Sequence, residues 1–335
     1  MAEHDDLAQG ELIHDWNLTG RVTSYARTVE LDDETLRDGL QSPSVINPPI
    51  EKKIEILHLM GALGIHTADI GYAGSSLKAQ QDVIALARAS ARIKIDVNIA
   101  CRTALADIAP GVECSQQAGV PIEITVFLGS SPIRRYIEGW DLEMMLRKVR
   151  ESVSFIVKHD LPCMFVTEDT TRADPATLRA LYRAAMDEGA YHVCVADTTG
   201  HATPDGAHNV IQFVKRVVAE SGADVKVDWH GHQDRGLGVA NTLAAISAGA
   251  ERVHGTALGI GERCGNTPMD TLLINLKLLG IIENDLSALP EYVRAVSAAV
   301  GVPIPVTWPA VGADAFRTAT GVHASAVVKA LNKGD

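Results

Sequence analysis

Val225-Lys226-Val227-Asp228-Trp229-His230-Gly231-His232-Gln233-Asp234 is the stretch on which the fold turns. Val225, Val227 and Trp229 share one parity, and Lys226, Asp228, His230 and His232 share the other. Side chains at i and i+2 of a strand face the same way. The run therefore predicts a strand whose polar face ends in two histidines able to aim at one divalent ion. The plain alternative is one histidine satisfied by a neighbour and the other in solvent, since motif matches of this kind carry false positives. The rest of the chain decides between them.

Around this strand, short β-rich runs alternate with helical periodicity. Strands are predicted at 29–36, 66–70, 94–101, 122–128, 163–167, 192–196, 225–230 and 252–257. Helices are predicted at 50–63, 76–89, 103–118, 142–159, 175–188, 205–220 and 238–248, with another near 268–279. Asp174-Pro175 and Thr203-Pro204 each set a capping residue before a proline of the first turn. Eight strand–helix units at roughly thirty-residue spacing match an α/β fold of the (β/α)8 TIM-barrel type. A doubly wound dinucleotide fold would show G-x-G-x-x-G after its first strand, and none is there. The expected division is an N-terminal extension at 1–27, a barrel at 28–280, and a linker with a short C-terminal helical subdomain at 281–335.

Composition narrows the function. Of the 335 residues, 46% are hydrophobic but only 4% aromatic, so the core must be aliphatic, as in helix-covered parallel sheets. A net charge of −12 argues against nucleic-acid or anionic-membrane partners. No stretch approaches a membrane span, and Met1 to Gly20 carries no apolar leader core. Five cysteines without C-x-x-C spacing read as reduced thiols, so a cytoplasmic protein is expected.

Barrel chemistry sits at the C-terminal ends of the strands, and the reactive residues gather there. The first strand leads into Glu34-Thr35-Leu36-Arg37-Asp38-Gly39-Leu40-Gln41, the second ends at Asp69, and the third at Cys101-Arg102. The fifth ends in Glu168-Asp169, the sixth in Asp197-Thr198-Thr199-Gly200, and the seventh in the histidine pair. The eighth opens into Gly259-Ile260-Gly261-Glu262-Arg263-Cys264-Gly265-Asn266. Asp38 supplies the carboxylate that two neutral imidazoles need to hold a cation with open positions. Arg37 beside it is either a site residue or a salt-bridged rim arginine. Both Arg37 and Asp38 can serve only if the strand bends, which Gly39 would permit. Glu168 reads equally as a base or as a rim carboxylate. Cys264 reads as a small loop thiol.

These segments, with His230-Gly231-His232-Gln233-Asp234-Arg235-Gly236-Leu237-Gly238-Val239-Ala240-Asn241, resemble a known family. It comprises the metal-dependent Claisen-condensing TIM barrels: 2-isopropylmalate, homocitrate and citramalate synthases and, more distantly, hydroxymethylglutaryl-CoA lyases. The likeness runs from about Leu31 to Lys329, and the Gly-Glu-Arg-x-Gly-Asn loop is similar to the synthases. It implies an acyltransferase condensing acetyl-CoA with a 2-oxo acid in amino-acid biosynthesis, with zinc, manganese or magnesium on Asp38, His230 and His232 and Asn266 as a further oxygen ligand. It implies Arg37 against developing oxygen charge, Thr198 on the substrate carboxylate, Glu168 as base, and Gln41, Asp69, Arg102 and Arg134 around the substrate. His323, in Thr320-Gly321-Val322-His323, would assist proton transfer from a partner subunit, so a homodimer is implied; its plain alternative is a helix-surface histidine.

The chain departs from the family at three places. Asp69 replaces a usual glutamate, with Tyr72-Ala73 for a Phe-Pro pair. Arg134-Arg135 stands where leucine-pathway enzymes show a histidine; paired arginines suit an anionic distal group, CoA phosphates or solvent. The chain stops soon after His323, so a shortened subdomain without leucine feedback is expected. The activity implied is most like that of 2-isopropylmalate synthase; a homocitrate- or citramalate-type synthase using a different, dianionic or aryl, 2-oxo acid, carbon–carbon lyase chemistry, and a catalytically weak barrel that binds metal and 2-oxo acid remain the alternatives.

Overall fold

The computed structural model describes residue 25 and residues 28–333; the expected N-terminal extension lies outside them apart from Tyr25. Eight parallel strands close into a barrel in chain order. They are β1 (Glu30–Asp33), β2 (Thr67–Asp69), β3 (Asp96–Arg102), β4 (Glu123–Gly129), β5 (Cys163–Glu168), β6 (His192–Asp197), β7 (Lys226–Gly231) and β8 (Arg252–Gly255). The helices covering them begin with α1 (Ile50–Ala62), α2 (Leu77–Ile93), α3 (Leu105–Ala118), α4 (Pro132–Glu138) and α5 (Leu142–Val157). They continue with α6 (Pro175–Asp187), α7 (Pro204–Ser221), α8 (Gly238–Ser247), α9 (Met269–Leu278), α10 (Leu289–Val300) and α11 (Gly321–Lys333). All eight predicted strands form. Helix α4, an insertion after β4 capped by Ser131, was not foreseen.

The alternation read from the sequence separates two kinds of interior. Val227 and Trp229 face outward and are fully buried under the helical shell. Asp228, His230 and His232, of opposite parity, face into the barrel. The expected caps hold: Asp174 accepts from Thr177 N and Thr203 from Gly206 N, opening α6 and α7.

The C-terminal segment divides. Helix α10 buries Leu289, Tyr292, Val293, Val296 and Val300 and so belongs to the barrel shell. Trp308 Nε1 donates to Asp270 Oδ2 at 2.6 Å, tying the following loop to α9. Helix α11 buries none of its residues.

Candidate active site at the barrel mouth

Strand β1 stops at Asp33, earlier than expected, because the chain turns immediately after it. Arg37 N and Gly39 N both donate to Glu34 O, winding residues 34–39 into a tight turn. That turn, not a flexed glycine, brings Arg37 and Asp38 to the same mouth: Gly39 is not among the positive-φ residues. A Cβ on Gly39 would meet Ile260 Cγ1 at 3.1 Å, so glycine is there for close packing. Asp33 braces the turn by accepting from Thr35 N at 2.9 Å and from the Tyr292 hydroxyl of α10.

Asp38, His230 and His232 converge, with His230 Nε2 at 3.5 Å and His232 Nε2 at 3.7 Å from Asp38 Oδ2. These gaps are long for hydrogen bonds and close to ligand–ligand spacings around a cation about 2.1 Å from each. Burial first, and then the charge of His230, lower the His232 pKa to about 4, so this imidazole is neutral and free to ligate at pH 7. The three donors thus fit a divalent ion.

Two residues behind this set were missed from the sequence. His230 Nδ1 lies 2.8 Å from Glu34 Oε2, a carboxylate–histidine pair that turns Nε2 toward Asp38. His254 places Nδ1 3.0 Å from Glu34 Oε1 and Nε2 3.3 Å from Asp228 Oδ2. Burial opposes its charge, but Glu34 and Asp228 raise His254 to about 10, so it is an imidazolium between two carboxylates. Glu34, His230 and His254 form a second cluster of suitable donors. His254 is committed to its proton, so the Asp38 set is the better cation site. Inward parity was the only available signal for His254; Glu34 sat inside the quoted turn and passed as part of it.

The remaining candidates divide. A cavity of about 600 Å³ at the mouth is lined by Arg37, Asp38, Gln41, Arg102, Glu168, Thr198, His230 and His232, all expected there. Asp69 is not at its wall: it accepts from Arg37 Nε at 2.6 Å, holding the guanidinium instead of meeting substrate. Burial works against the charge on Arg37, but Asp69, Glu34 and Asp38 raise its pKa well above the ordinary value. Arg102 reaches the cavity with its guanidinium clamped on Asp107. Arg134 lines an adjoining recess, paired with Glu168 at 3.3 Å and Glu138 at 3.4 Å.

Glu168 is half-sunk in the wall. Burial raises its pKa above the usual carboxylate range, against the pull of Arg134. Its neighbour Asp169 is gripped by the Arg172 fork at 2.7 Å through both oxygens, and Asp169 N donates to Thr198 Oγ1 at 2.8 Å. Thr198 therefore accepts one hydrogen bond and still has its hydroxyl proton to donate in another.

Asn266 departs from expectation. A single antiparallel bridge sets it beside His232, and its Nδ2 donates to Asp38 Oδ2 at 2.9 Å. Its oxygen faces Gly261, where a Cβ would lie 2.0 Å away. Asn266 thus turns its amide nitrogen toward Asp38, and its oxygen is buried without a hydrogen-bond partner. Gly265, at φ +91, could carry a Cβ only 1.8 Å from Gly259 O, which explains the glycines of this loop. His323 is exposed on α11 and is not brought to the cavity within one chain.

Residues 28–296 match the family model described as HMGL-like. A protein of Methanopyrus kandleri named probable 2-isopropylmalate synthase is 35% identical over 306 residues, spanning 90% of this chain and 58% of that one. The homocitrate synthase AksA of the same organism is 31% identical, spanning 92% of this chain and 77% of its own. The 2-isopropylmalate synthase of Brevibacillus brevis is 31% identical, spanning 90% of this chain and 59% of its own. The chain thus covers under two thirds of the length of both 2-isopropylmalate synthase relatives. Among solved structures, the Bacillus subtilis HMG-CoA lyase aligns with a TM-score of 0.69 at 20% identity, over 84% of this chain and 96% of that one. Hydroxymethylglutaryl-CoA lyase of Pseudomonas aeruginosa aligns at 0.68 and 18%, over 91% and 99%. This chain belongs to the HMGL-like family.

Proposed function

We propose that the protein is an acyltransferase that condenses acetyl-CoA with a 2-oxo acid, as 2-isopropylmalate synthases do, and releases CoA. The observation that carries this is the buried Asp38, His230 and His232 set facing Glu168 across one cavity. Such a set would hold zinc, manganese or magnesium, and a divalent cation supplies Lewis-acid polarisation of a keto group when bound. Glu34 fixes the His230 ring, and the Asn266 amide steadies Asp38. Thr198 donates a hydrogen bond from its hydroxyl to the carboxylate of the 2-oxo acid. Arg37, locked by three carboxylates, faces the oxygen on which charge develops. Glu168, partly desolvated, takes the methyl proton of the thioester. The carbanion so formed adds to the keto carbon, the resulting alkoxide takes up a proton, and water then cleaves the thioester to a carboxylate and the free thiol.

His323 requires a second copy to take part, since α11 extends from the barrel with no buried residue. A homodimer in the cytoplasm is the assembly we propose. No helix among the described residues is long and apolar enough to cross a membrane.

The experiment is incubation with acetyl-CoA, a panel of 2-oxo acids and several divalent ions while free thiol is followed. Thiol release that needs both the oxo acid and the ion supports the proposal. Cleavage of a 3-hydroxyacyl-CoA without condensation would favour the lyase chemistry instead.

A further inference from the structure

Below the mouth, where Arg102, Glu168 and Thr198 end their strands, the cavity has two sides. The Asp38, His230, His232, Glu34 and His254 side comes from β1, the turn after it, β7 and β8. The opposite wall of the cavity is made by Ala100 on β3, Thr125 on β4, Met164 and Val166 on β5, and Cys194 and Ala196 on β6. All six share the inward parity of their strands, and none carries a charge at neutral pH: burial pushes the Cys194 thiol well above its ordinary value.

Resting on the condensation proposed above, we infer that the 2-oxo acid carries an uncharged tail that lies across the barrel on this wall. A substrate held by its carboxylate and keto group at the Asp38–His230–His232 side must point its remaining atoms away from those groups. The small side chains of Ala100 and Ala196 leave room for several carbons there. Thr125 is 6% exposed and its hydroxyl has no partner, so this wall offers a neutral hydrogen-bonding group.

Among the described residues, the two arginines lining this cavity, Arg37 and Arg102, are both committed to carboxylates, and Lys148, whose ammonium lies 5.7 Å over the Trp140 ring, lines only the adjoining recess. Arg37 is saturated by Glu34, Asp38 and Asp69. Arg102 is clamped in bidentate fashion on Asp107. Arg134 pairs with Glu138 and Glu168 from the adjoining recess, and Arg135 donates to Thr177 Oγ1 at 3.1 Å, 3.8 Å from Asp174. The mouth itself bears the carboxylates of Glu168 and Glu262. A dianionic oxo acid would have to bury an unpaired charge on alkyl surface, which costs far more than any packing it gains. Arg134 and Arg135, which from the sequence suited an anionic distal group, CoA phosphates or solvent, lie outside this cavity's lining and are turned toward Glu138, Glu168 and Asp174.

The test measures kcat/KM by thiol release, with manganese and acetyl-CoA, for 3-methyl-2-oxobutanoate and 2-oxohexanoate against 2-oxoglutarate and oxaloacetate. The uncharged-tail acids should lead by at least about 100-fold. Equal or better turnover of the dicarboxylates overturns the inference while leaving the condensation itself standing. If no acid releases thiol, the condensation fails, and calorimetric titration of the same four acids into manganese-loaded protein still decides the tail preference by their affinity ratio. A variant locates the wall. Ala100→Leu should lower the 2-oxohexanoate-to-pyruvate ratio of kcat/KM, or of affinity, by about tenfold or more. That ratio does not depend on how much of the variant folds, and an unchanged ratio means the tail lies elsewhere.

Discussion

Arg37 Nε donates to Asp69 Oδ2 at 2.6 Å, and with it Asp69 passes from an expected substrate contact to the anchor of the arginine. Asp69→Asn should leave the protein folded and its metal in place, because Asp69 touches none of the three proposed ligands. Thiol release should fall by roughly 10- to 100-fold as the guanidinium loses its fixed direction. Metal content by elemental analysis, taken with the rate, checks both halves; a variant that turns over normally would show that Arg37 is held well enough by Glu34 and Asp38 alone.

Glu168 and Arg134 make a prediction in pH. Burial raises Glu168 and Arg134 opposes the rise. A base acts deprotonated, so activity should climb through the Glu168 pKa on the acid side. Arg134→Ala removes the opposing charge, and the acid limb of kcat/KM should move to higher pH with the plateau largely kept. Glu168→Gln should hold metal and oxo acid yet lose about 10²–10⁴ in thiol release. If its rate equals that of the wild type, another group is the base.

Tyr292 is the brace outside the site. Burial raises Asp33 to about 7, with Thr35 and Tyr292 hydrogen bonds pulling against it. An acid raised in the fold stabilises most below its unfolded value of 3.8 and loses that contribution as pH climbs to about 7. Above that, the ionised Asp33 leans on the Tyr292 hydroxyl. Tyr292→Phe should therefore cost about 1 kcal/mol at pH 5 and about 1.5–3 kcal/mol at pH 8, where the lost bond is to a charged group. Denaturant unfolding at the two pH values reads this directly, and a loss independent of pH would contradict it.

Much of this was legible in the chain. Inward and outward parity on the seventh strand separated Val227 and Trp229 from His230 and His232, and all eight strands were placed because each parallel strand reads as an apolar run between helix caps. What escaped depended on partners distant in sequence. Glu34 and His254 are 220 residues apart and acquire meaning only when β1 pairs with β8. Asp69 and Arg134 carry the residue types of a binding site, but nothing local reveals that a neighbouring charge has already claimed them. Helix α4 is seven residues long and was absorbed into a loop because about two turns give too little periodicity to detect.

The central claim is that Asp38, His230 and His232 share one cation. A crystal of the protein soaked in manganese, read by anomalous difference density, tests it most directly. One peak is expected within about 2.2 Å of Asp38 Oδ2 and the Nε2 atoms of both histidines. A peak among Glu34, His230 and His254 instead, or none between the three groups, would contradict it.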